Sequence, residues 1–220
     1  MKIRWNHINR GLVLGLVLAA GTAVYVIAQN AAFKKNIPEI TDKANEICKE
    51  IAEANVGDNR EGVQRKLTAC IQDNFISKDS KMTLEDTNLD SKNKSSMLLM
   101  VENMGLDTTG KDRIYSAEYE QISSSVTKWG IDGANVQIDY KITLDCDGSP
   151  DIIVPDSILY TYIEIRHDAD KDLRKTIRYS GSLNMYLFPD GDTWKAVTVS
   201  YNDDSRVEIE YPEDAEGGEG

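Results

Sequence analysis

The sequence predicts an α+β protein, with an N-terminal transmembrane helix followed by helices packed on a curved antiparallel sheet of about five strands. Three observations lead to this fold class. An uncharged apolar run occupies residues 11–28, and apolar residues then recur at helical spacing between residues 38 and 104. After Gly110, apolar and polar residues alternate with the period of two that is typical of half-buried strands. Helices followed by a run of strands are typical of the α+β class.

Composition limits the domain count and the kinds of partner. The chain has 220 residues, of which 40% are hydrophobic, so the part beyond an anchor suffices for one domain with its own core. The formal net charge is −12, and an acidic surface repels phosphate backbones. We therefore expect no nucleic-acid partner. The last residues, 212–220, are acidic and rich in glycine, which predicts a disordered tail.

The apolar run predicts a membrane helix. Extended to residue 33, it exceeds the ~20 residues that cross a bilayer core, so we place a transmembrane helix or signal anchor at residues 11–33. Lys2, Arg4 and Arg10 precede it, with no acid among residues 1–10. The positive-inside rule then favours a cytoplasmic tail at residues 1–10 and an exported domain at residues 34–211, in a single-pass protein of the cell membrane.

Two other interpretations of the apolar run remain open. Val26-Ile27-Ala28 fits a signal-peptide cleavage site before Gln29, which would give a secreted protein. The run exceeds the ~7–15 residues of a usual signal-peptide core, and this favours the uncleaved anchor. Arg10-Gly11 before an apolar run also resembles a pilin-type assembly helix, but such helices carry an early glutamate that is missing around Gly15.

The helical region predicts three helices after the membrane. Pro38 suits a first turn, and one apolar face follows at Ile40, Ala44, Ile47 and Ile51. Asp58 and Glu61 resemble a capping box that begins a second helix, with an apolar face of Val63, Leu67, Cys70, Ile71 and Phe75. We expect these two helices to pack antiparallel. Residues 77–96 are polar and predict a loop, after which Met97, Met100, Val101 and Met104 predict a short helix capped by Gly105.

The remaining chain predicts strands separated by turns. We expect strands at residues 114–128, 136–145, 159–165, 173–187 and 194–201, with a short edge strand at residues 206–211. Turns fall at residues 129–133 and 189–192. Gly181, in the middle of the fourth strand, predicts a bulge or a bend.

This order of elements resembles a known superfamily. The final hairpin, GSLNMYLFPDGDTWKAVTVSY, resembles the closing strands of nuclear transport factor 2-like and cystatin-like proteins, and the resemblance covers residues 58–202. It implies a curved sheet wrapped around a helix to form a cone. One membrane helix followed by such a domain also looks like the bitopic assembly subunits of bacterial conjugation and secretion machines. That resemblance implies a scaffold and no enzymatic activity.

No residue pattern predicts catalysis, a metal or a cofactor. His167 is alone in the exported part, which excludes a His-rich zinc site and leaves Cys146 without another base. Asp168, Asp170 and Asp172 resemble the start of a calcium loop, but Leu173 and Tyr179 stand where that loop needs Gly and Glu. The three acids therefore predict a hairpin turn. We expect a protein that is not an enzyme.

Two sets of residues are candidates for other roles. Cys48 and Cys70 lie on the apolar faces of neighbouring predicted helices, so they form either a disulfide or two buried thiols, with Cys146 left over. Tyr160, Tyr162, Tyr186 and Phe188 alternate opposite the aliphatic positions of their strands. They form either a partner surface or a face covered by helices or a loop.

Two function classes follow from these features. The first is a membrane-anchored protein-interaction or scaffold module that self-associates or binds a protein partner. The second is a small-ligand-binding or hydrolytic domain that uses a pocket in the cone.

Overall fold

The computed structural model describes residues 10–57, 60–76, 92–103, 113–148, 150–158, 163–164, 174–201 and 205–211. Three helices precede seven strands: α1 Arg10–Ala54, α2 Arg60–Asn74, α3 Lys92–Glu102, β1 Arg113–Trp129, β2 Gly133–Asp147, β3 Asp151–Ile152, β4 Ile163–Glu164, β5 Lys175–Asp190, β6 Thr193–Tyr201 and β7 Arg206–Glu210. This order confirms the predicted α+β class.

The chain divides into two compact units, Met1–Glu39 and Ile40–Gly220. Helix α1 runs without a break from Arg10 to Ala54 and contains Pro38 in its interior. The prediction that Pro38 begins a separate helix is therefore wrong. A proline removes one backbone hydrogen bond from a helix interior, but its fixed φ angle suits the helix itself.

The main sheet has five antiparallel strands. Its order is β1-β2-β5-β6, and β7 pairs with the first half of β5 while β6 pairs with the second half. The short strands β3 and β4 pair with each other in a separate two-stranded sheet, so the prediction that residues 159–165 join the main sheet is wrong for Ile163–Glu164. The rest of that segment falls largely outside the described residues.

Helix α2 joins opposite corners of the main sheet. Gly57, before the helix, exchanges two backbone hydrogen bonds of 3.0 Å with Ile114 at the start of β1. After the helix, the backbone nitrogen of Ile76 donates to the carbonyl of Ala196 in β6, at 2.9 Å. The chain thus leaves one sheet edge and returns to the other.

This connection requires the sheet to bend. Ile114 is in register with Cys146 of β2. At the other corner, Ala196 is in register with Leu187 of β5, which is in register with Ala134 of β2. The two corners are therefore separated by 146 − 134 = 12 residues along β2. In a flat sheet the corners would lie ~40 Å apart along the strands and five spacings of ~4.8 Å apart across them, which gives a diagonal of about 47 Å. The segment between Gly57 and Phe75 reaches only about 36 Å. The corners can meet it only if the sheet curves towards the helix.

One face of the sheet forms the core. On β2 and β5, alternate side chains are buried against the helices, while the intervening ones are polar and partly exposed. The helices contribute the apolar faces that the sequence predicts, with buried Ile40, Ala44, Ile47, Ile51, Val63, Leu67, Cys70, Ile71, Phe75, Met97 and Val101. The described interior is therefore filled by side chains from both layers.

Helix α3 packs antiparallel to α2 and supplies hydrogen-bond donors to the last carbonyls of α2. The ammonium of Lys94 donates to the carbonyls of Gln72 and Phe75 at 2.7 and 2.8 Å, and the amide of Gln64 donates to Val101 at the other end of α3. The C-terminal carbonyls of each helix thus find a donor on the other. The helix begins at Lys92, so the predicted loop at residues 77–96 is wrong at its end. Met104 and Gly105 lie outside the described residues.

Gly181 does not mark a bulge. Its pairing with Tyr140 continues the regular register of β2 and β5, and the irregularities lie in β1 and between β5 and β6. A Cβ atom at Gly181 would lie 2.7 Å from the carboxylate of Asp156 and 2.9 Å from the hydroxyl of Tyr140. Glycine is therefore required by a close approach of polar side chains, and the predicted bulge is wrong.

The side chain of Asn55 hydrogen-bonds the segment after β2 to the end of α1. Its amide nitrogen donates to the carbonyls of Ile51 and Ile153 at 2.9 and 2.8 Å, and its oxygen accepts from the nitrogen of Ile153 at 2.9 Å. Asn55 is buried, so these bonds lie away from water. One side chain therefore caps the helix and pairs with both backbone polar groups of Ile153.

We expect Asn55→Ala to lower the free energy of unfolding by about 3 kcal/mol, because two buried backbone groups lose their partners. Urea denaturation of the full-length protein in detergent, followed by tryptophan fluorescence, measures this. The matched control is Asn103→Ala, since exposed Asn103 makes the same bond to the carbonyl four residues earlier in α3. The control should cost less than ~0.5 kcal/mol. Equal effects would show that the bonds to Ile153 contribute nothing.

Candidate functional site

The first part of α1 is an exposed apolar surface. Side chains from Val13 to Ala28 are exposed, including Leu14, Leu16, Val24 and Ile27. The helix is long and apolar enough to cross a membrane, and none of that segment is buried inside the protein. Its one hydroxyl besides Tyr25, on Thr22, donates to the carbonyl of Leu18 at 2.9 Å. The polar groups of this segment therefore have partners within the helix, as lipid requires.

The predicted aromatic surface is partly covered. Tyr160 and Tyr162 lie outside the described residues. Tyr186 and Phe188 do lie on the face opposite the core, but Phe188 is only 6% exposed, under Ile76 and Val197. Tyr186 remains half-buried. Of the two alternatives that the sequence leaves open, the described residues favour a covered face for Phe188, because the chain that leaves α2 and pairs with β6 covers its ring.

The covered aromatics form a small second core. Trp129 meets the rings of Tyr186 and Phe188 edge-on, with centroid distances of 4.8 and 5.0 Å. A Cβ atom at Gly133 would lie 2.8 Å from the Phe188 ring. The ring therefore lies directly across the backbone of β2, and this cluster closes the end of the sheet near the β1–β2 turn.

A buried polar cluster lies between the sheet and the segment after β2. The hydroxyl of Tyr179 donates to Asp156 Oδ2 at 2.6 Å, and the backbone nitrogen of Asp156 donates to the hydroxyl of Tyr140 at 3.3 Å. Asp156 is 2% exposed, and its Oδ1 lacks a hydrogen-bond partner within the described part of the chain. Cys48 on α1 adds a nearby thiol. The cluster brings one carboxyl and two phenols together in a buried site.

Burial sets the protonation of this cluster. It raises the pKa of Asp156 above its usual 3.8, although the hydrogen bonds from Tyr179 and Tyr140 act in the opposite direction. Burial also raises the pKa of Tyr179 and Tyr140, and the neighbouring Asp156 raises both further. The phenols are therefore neutral donors, and the carboxyl holds its proton to a higher pH than an exposed aspartate does.

The three cysteines are buried reduced thiols in the structure. Cys70 lies near enough to Cys48 to contribute to its raised pKa, and Asn74 donates to the Cys70 sulfur at 3.7 Å. Burial raises the pKa of Cys70 to about 12, and that of Cys48 rises for the same reason. The disulfide between them therefore stays a prediction, and the structure shows the thiol form.

Lys175 is a buried lysine that the sequence analysis did not single out. It is 1% exposed, on the core face of β5, in register with Cys146 of β2. Its Nζ has no hydrogen-bond partner among the residues that the structure covers. The alternation of β5 places position 175 on the same face as Ile177, so the sequence pattern contains the signal.

The structure does not describe the other candidates for chemistry. His167, Asp168, Asp170 and Asp172 fall outside the described residues. Within those residues, no three His, Cys, Asp or Glu side chains lie where they could hold a metal ion. The Asp156 cluster was missed in the sequence because its members come from three separate segments, and only the unexplained Gly181 pointed to it.

The outer edge of β1 is the longest exposed backbone in the described sheet. Strand β1 spans 17 residues at the end of the strand order, and within the described residues the one backbone bridge on its outer edge joins Ile114 to Gly57. Side chains along it are mostly exposed, with Ile122 at 60%. Unpaired amides and carbonyls on such an edge can bind a further strand.

No protein-family model matches this chain, and no curated protein matches it.

We expect Asp156 to make the free energy of unfolding decrease as pH rises. Because its folded-state pKa is raised above 3.8, the free energy of unfolding should fall as pH rises from 3.8 through the raised pKa, and stay low above it. Asp156→Asn should remove this dependence. The measurement is urea denaturation of both proteins at several pH values.

Asp139→Asn is the control, because the Ser123 and Ser182 hydroxyls lower the pKa of Asp139. The stability that this group contributes is present above pH 3.8 and is lost as pH falls through the lowered pKa. The two variants should therefore change the pH profile in opposite directions. A profile for Asp156→Asn that parallels the original protein would contradict the assignment.

We also expect the thiols to resist labelling in the folded protein. With a pKa of about 12, Cys70 is a thiolate in roughly one molecule in 10⁴ at pH 8. Ellman's reagent should therefore modify the cysteines slowly in buffer and rapidly in urea. Fast modification before unfolding would show that the helices open at this place.

Proposed function

We propose that this chain is a membrane-anchored, extracytoplasmic protein-interaction or scaffold module without enzymatic activity. The observation that carries the proposal is the wholly exposed apolar segment from Val13 to Ala28. An exposed surface of this kind is stable only in lipid or against another apolar surface. Helix α1 continues from it to Ala54, in the folded α+β unit. The protein therefore presents one domain from a single span, with residues 1–10 in the cytoplasm.

The filled interior supports a binding role over chemistry. Core-facing side chains of β2 and β5 such as Ile138, Ile142, Leu183 and Met185 are buried completely or nearly so. Small-ligand sites are concave pockets with convergent polar groups, whereas this interior is packed with aliphatic side chains. The polar, partly exposed face of the sheet and its long edge instead offer surfaces that another protein can contact.

A second candidate function rests on the Asp156 cluster. Asp156 and two phenols form a compact group of polar atoms that could hydrogen-bond a small ligand, and Asp156 Oδ1 has no partner among the described residues. The alternative function is thus a small-ligand-binding or hydrolytic domain. A thermal-shift screen comparing the original protein with Asp156→Asn tests it, since a ligand held by this carboxyl should stabilise only the original.

Membrane fractionation of the full-length protein tests the anchor. We expect it to stay in the membrane pellet after carbonate extraction, and Val17→Arg combined with Ala20→Arg to release it. Each arginine near the middle of a span costs about 3 kcal/mol. The control is Leu99→Arg, because Leu99 is exposed to a similar extent on α3. A double variant that still resists extraction would contradict the anchor.

Intact-mass measurement of the purified protein separates the anchor from a cleaved signal peptide. An anchor retains residues 1–28, whereas cleavage before Gln29 leaves a protein that begins at that residue. Protease added to intact cells should digest the domain if it is extracytoplasmic. Protection of the domain in intact cells and digestion only after lysis would reverse the proposed orientation.

A further inference from the structure

The edges of the main sheet differ in the features that prevent pairing with another strand. The chain after α2 pairs with β6 through Ile76. Strand β7 has only five residues, and three of them are charged: Arg206, Glu208 and Glu210. Short length, charge and covering segments are the usual means by which proteins prevent edge pairing.

Among the described residues, strand β1 has few of these protective features. Residues 121–127 carry no charge, and their side chains are small or apolar apart from Gln121. Ser123, Ser124 and Ser125 are all exposed. One irregularity lies between Gln121 and Ser123, after which the register with β2 is regular to Trp129. The middle of this edge therefore combines an accessible backbone with side chains that would not obstruct a neighbouring strand.

The charges at the two ends of β1 are opposite. Glu118 and Glu120 precede the uncharged stretch, and Lys128 follows it. Two copies of this strand placed antiparallel would bring the acidic end of each beside Lys128 of the other, twice by symmetry. A parallel arrangement would place the like charges together, which is unfavourable.

We propose that β1 pairs antiparallel with β1 of a second copy of this chain, about a two-fold axis at Ser123–Ser125. The sheets of two copies then form one continuous sheet. The same surface on both copies makes the contact, as in most homodimers. This proposal rests on the proposed function, because anchoring in one membrane raises the local concentration of copies and restricts their orientations.

Disulfide trapping in native membrane vesicles tests the pairing. The variants are Ser123→Cys, Ser124→Cys and Ser125→Cys in the full-length protein, oxidised with copper–phenanthroline and separated without reductant. Residues on the two-fold axis of an antiparallel pair have Cα atoms about 4.5–5.5 Å apart, within the range that a disulfide spans. The three native thiols are buried and remain in place.

Ser180→Cys is the matched control. Ser180 is also an exposed strand serine, but β5 is paired there on both sides, with Lys141 and Arg206. We expect one of the three β1 variants to form severalfold more covalent dimer than Ser180→Cys. Adding Glu118→Lys and Glu120→Lys to that variant should reduce the dimer severalfold, since like charges then meet at both ends.

Three results would overturn the proposal: dimer no greater than in the control, dimer unaffected by the charge reversals, or an adduct only with a different protein. Carbonate extraction of the same vesicles separates this from the proposed function. A protein that resists extraction but shows no trapped dimer would refute the pairing alone. A protein that is extracted would refute the anchor.

Discussion

The fold depends on a length constraint: the chain from Gly57 to Phe75 is too short to join two corners of a flat sheet. Because both ends of this segment are hydrogen-bonded to sheet edges, the sheet must bend towards α2. Bending brings the aliphatic faces of β2 and β5 around the helices. It also carries Ile76 across the opposite face, where it covers Phe188. One constraint thus determines which side of the sheet is core and which aromatic residues remain accessible.

Periodicity was sufficient to predict the elements that bury apolar side chains. The α+β class, the core faces of α1 and α2, and the strands β2, β5 and β6 follow from spacings of apolar residues, because burial imposes those spacings. Strand β1 has mostly exposed side chains and was predicted from its composition instead. Pro38 was misassigned because local propensity is weak against a long helix on both sides of it. Ile163–Glu164 was misassigned because a strand pattern does not tell which sheet the strand joins.

The sites could be predicted only where they are local in sequence. The apolar span is a continuous run, so composition finds it. The Asp156 cluster unites residues from β2, β5 and the segment between β3 and β4, and no spacing in the chain encodes that meeting. Gly181 was a visible sign, but a glycine in a strand has several causes. The sequence could not decide whether Phe188 is accessible or covered, because the covering residue, Ile76, is distant in sequence.

The mutual contacts of α2 and α3 have a consequence for how this protein can change over evolution. Lys94 and Gln64 hold the two helices together at both ends through bonds made between the helices themselves. Bonds of this kind position α3 on α2 whatever the length of the chain between them. An insertion between the two helices would therefore cost only the slowly growing entropy of closing a longer connection. Lineages could lengthen this segment, or give it a role of its own, while the rest of the domain keeps its packing.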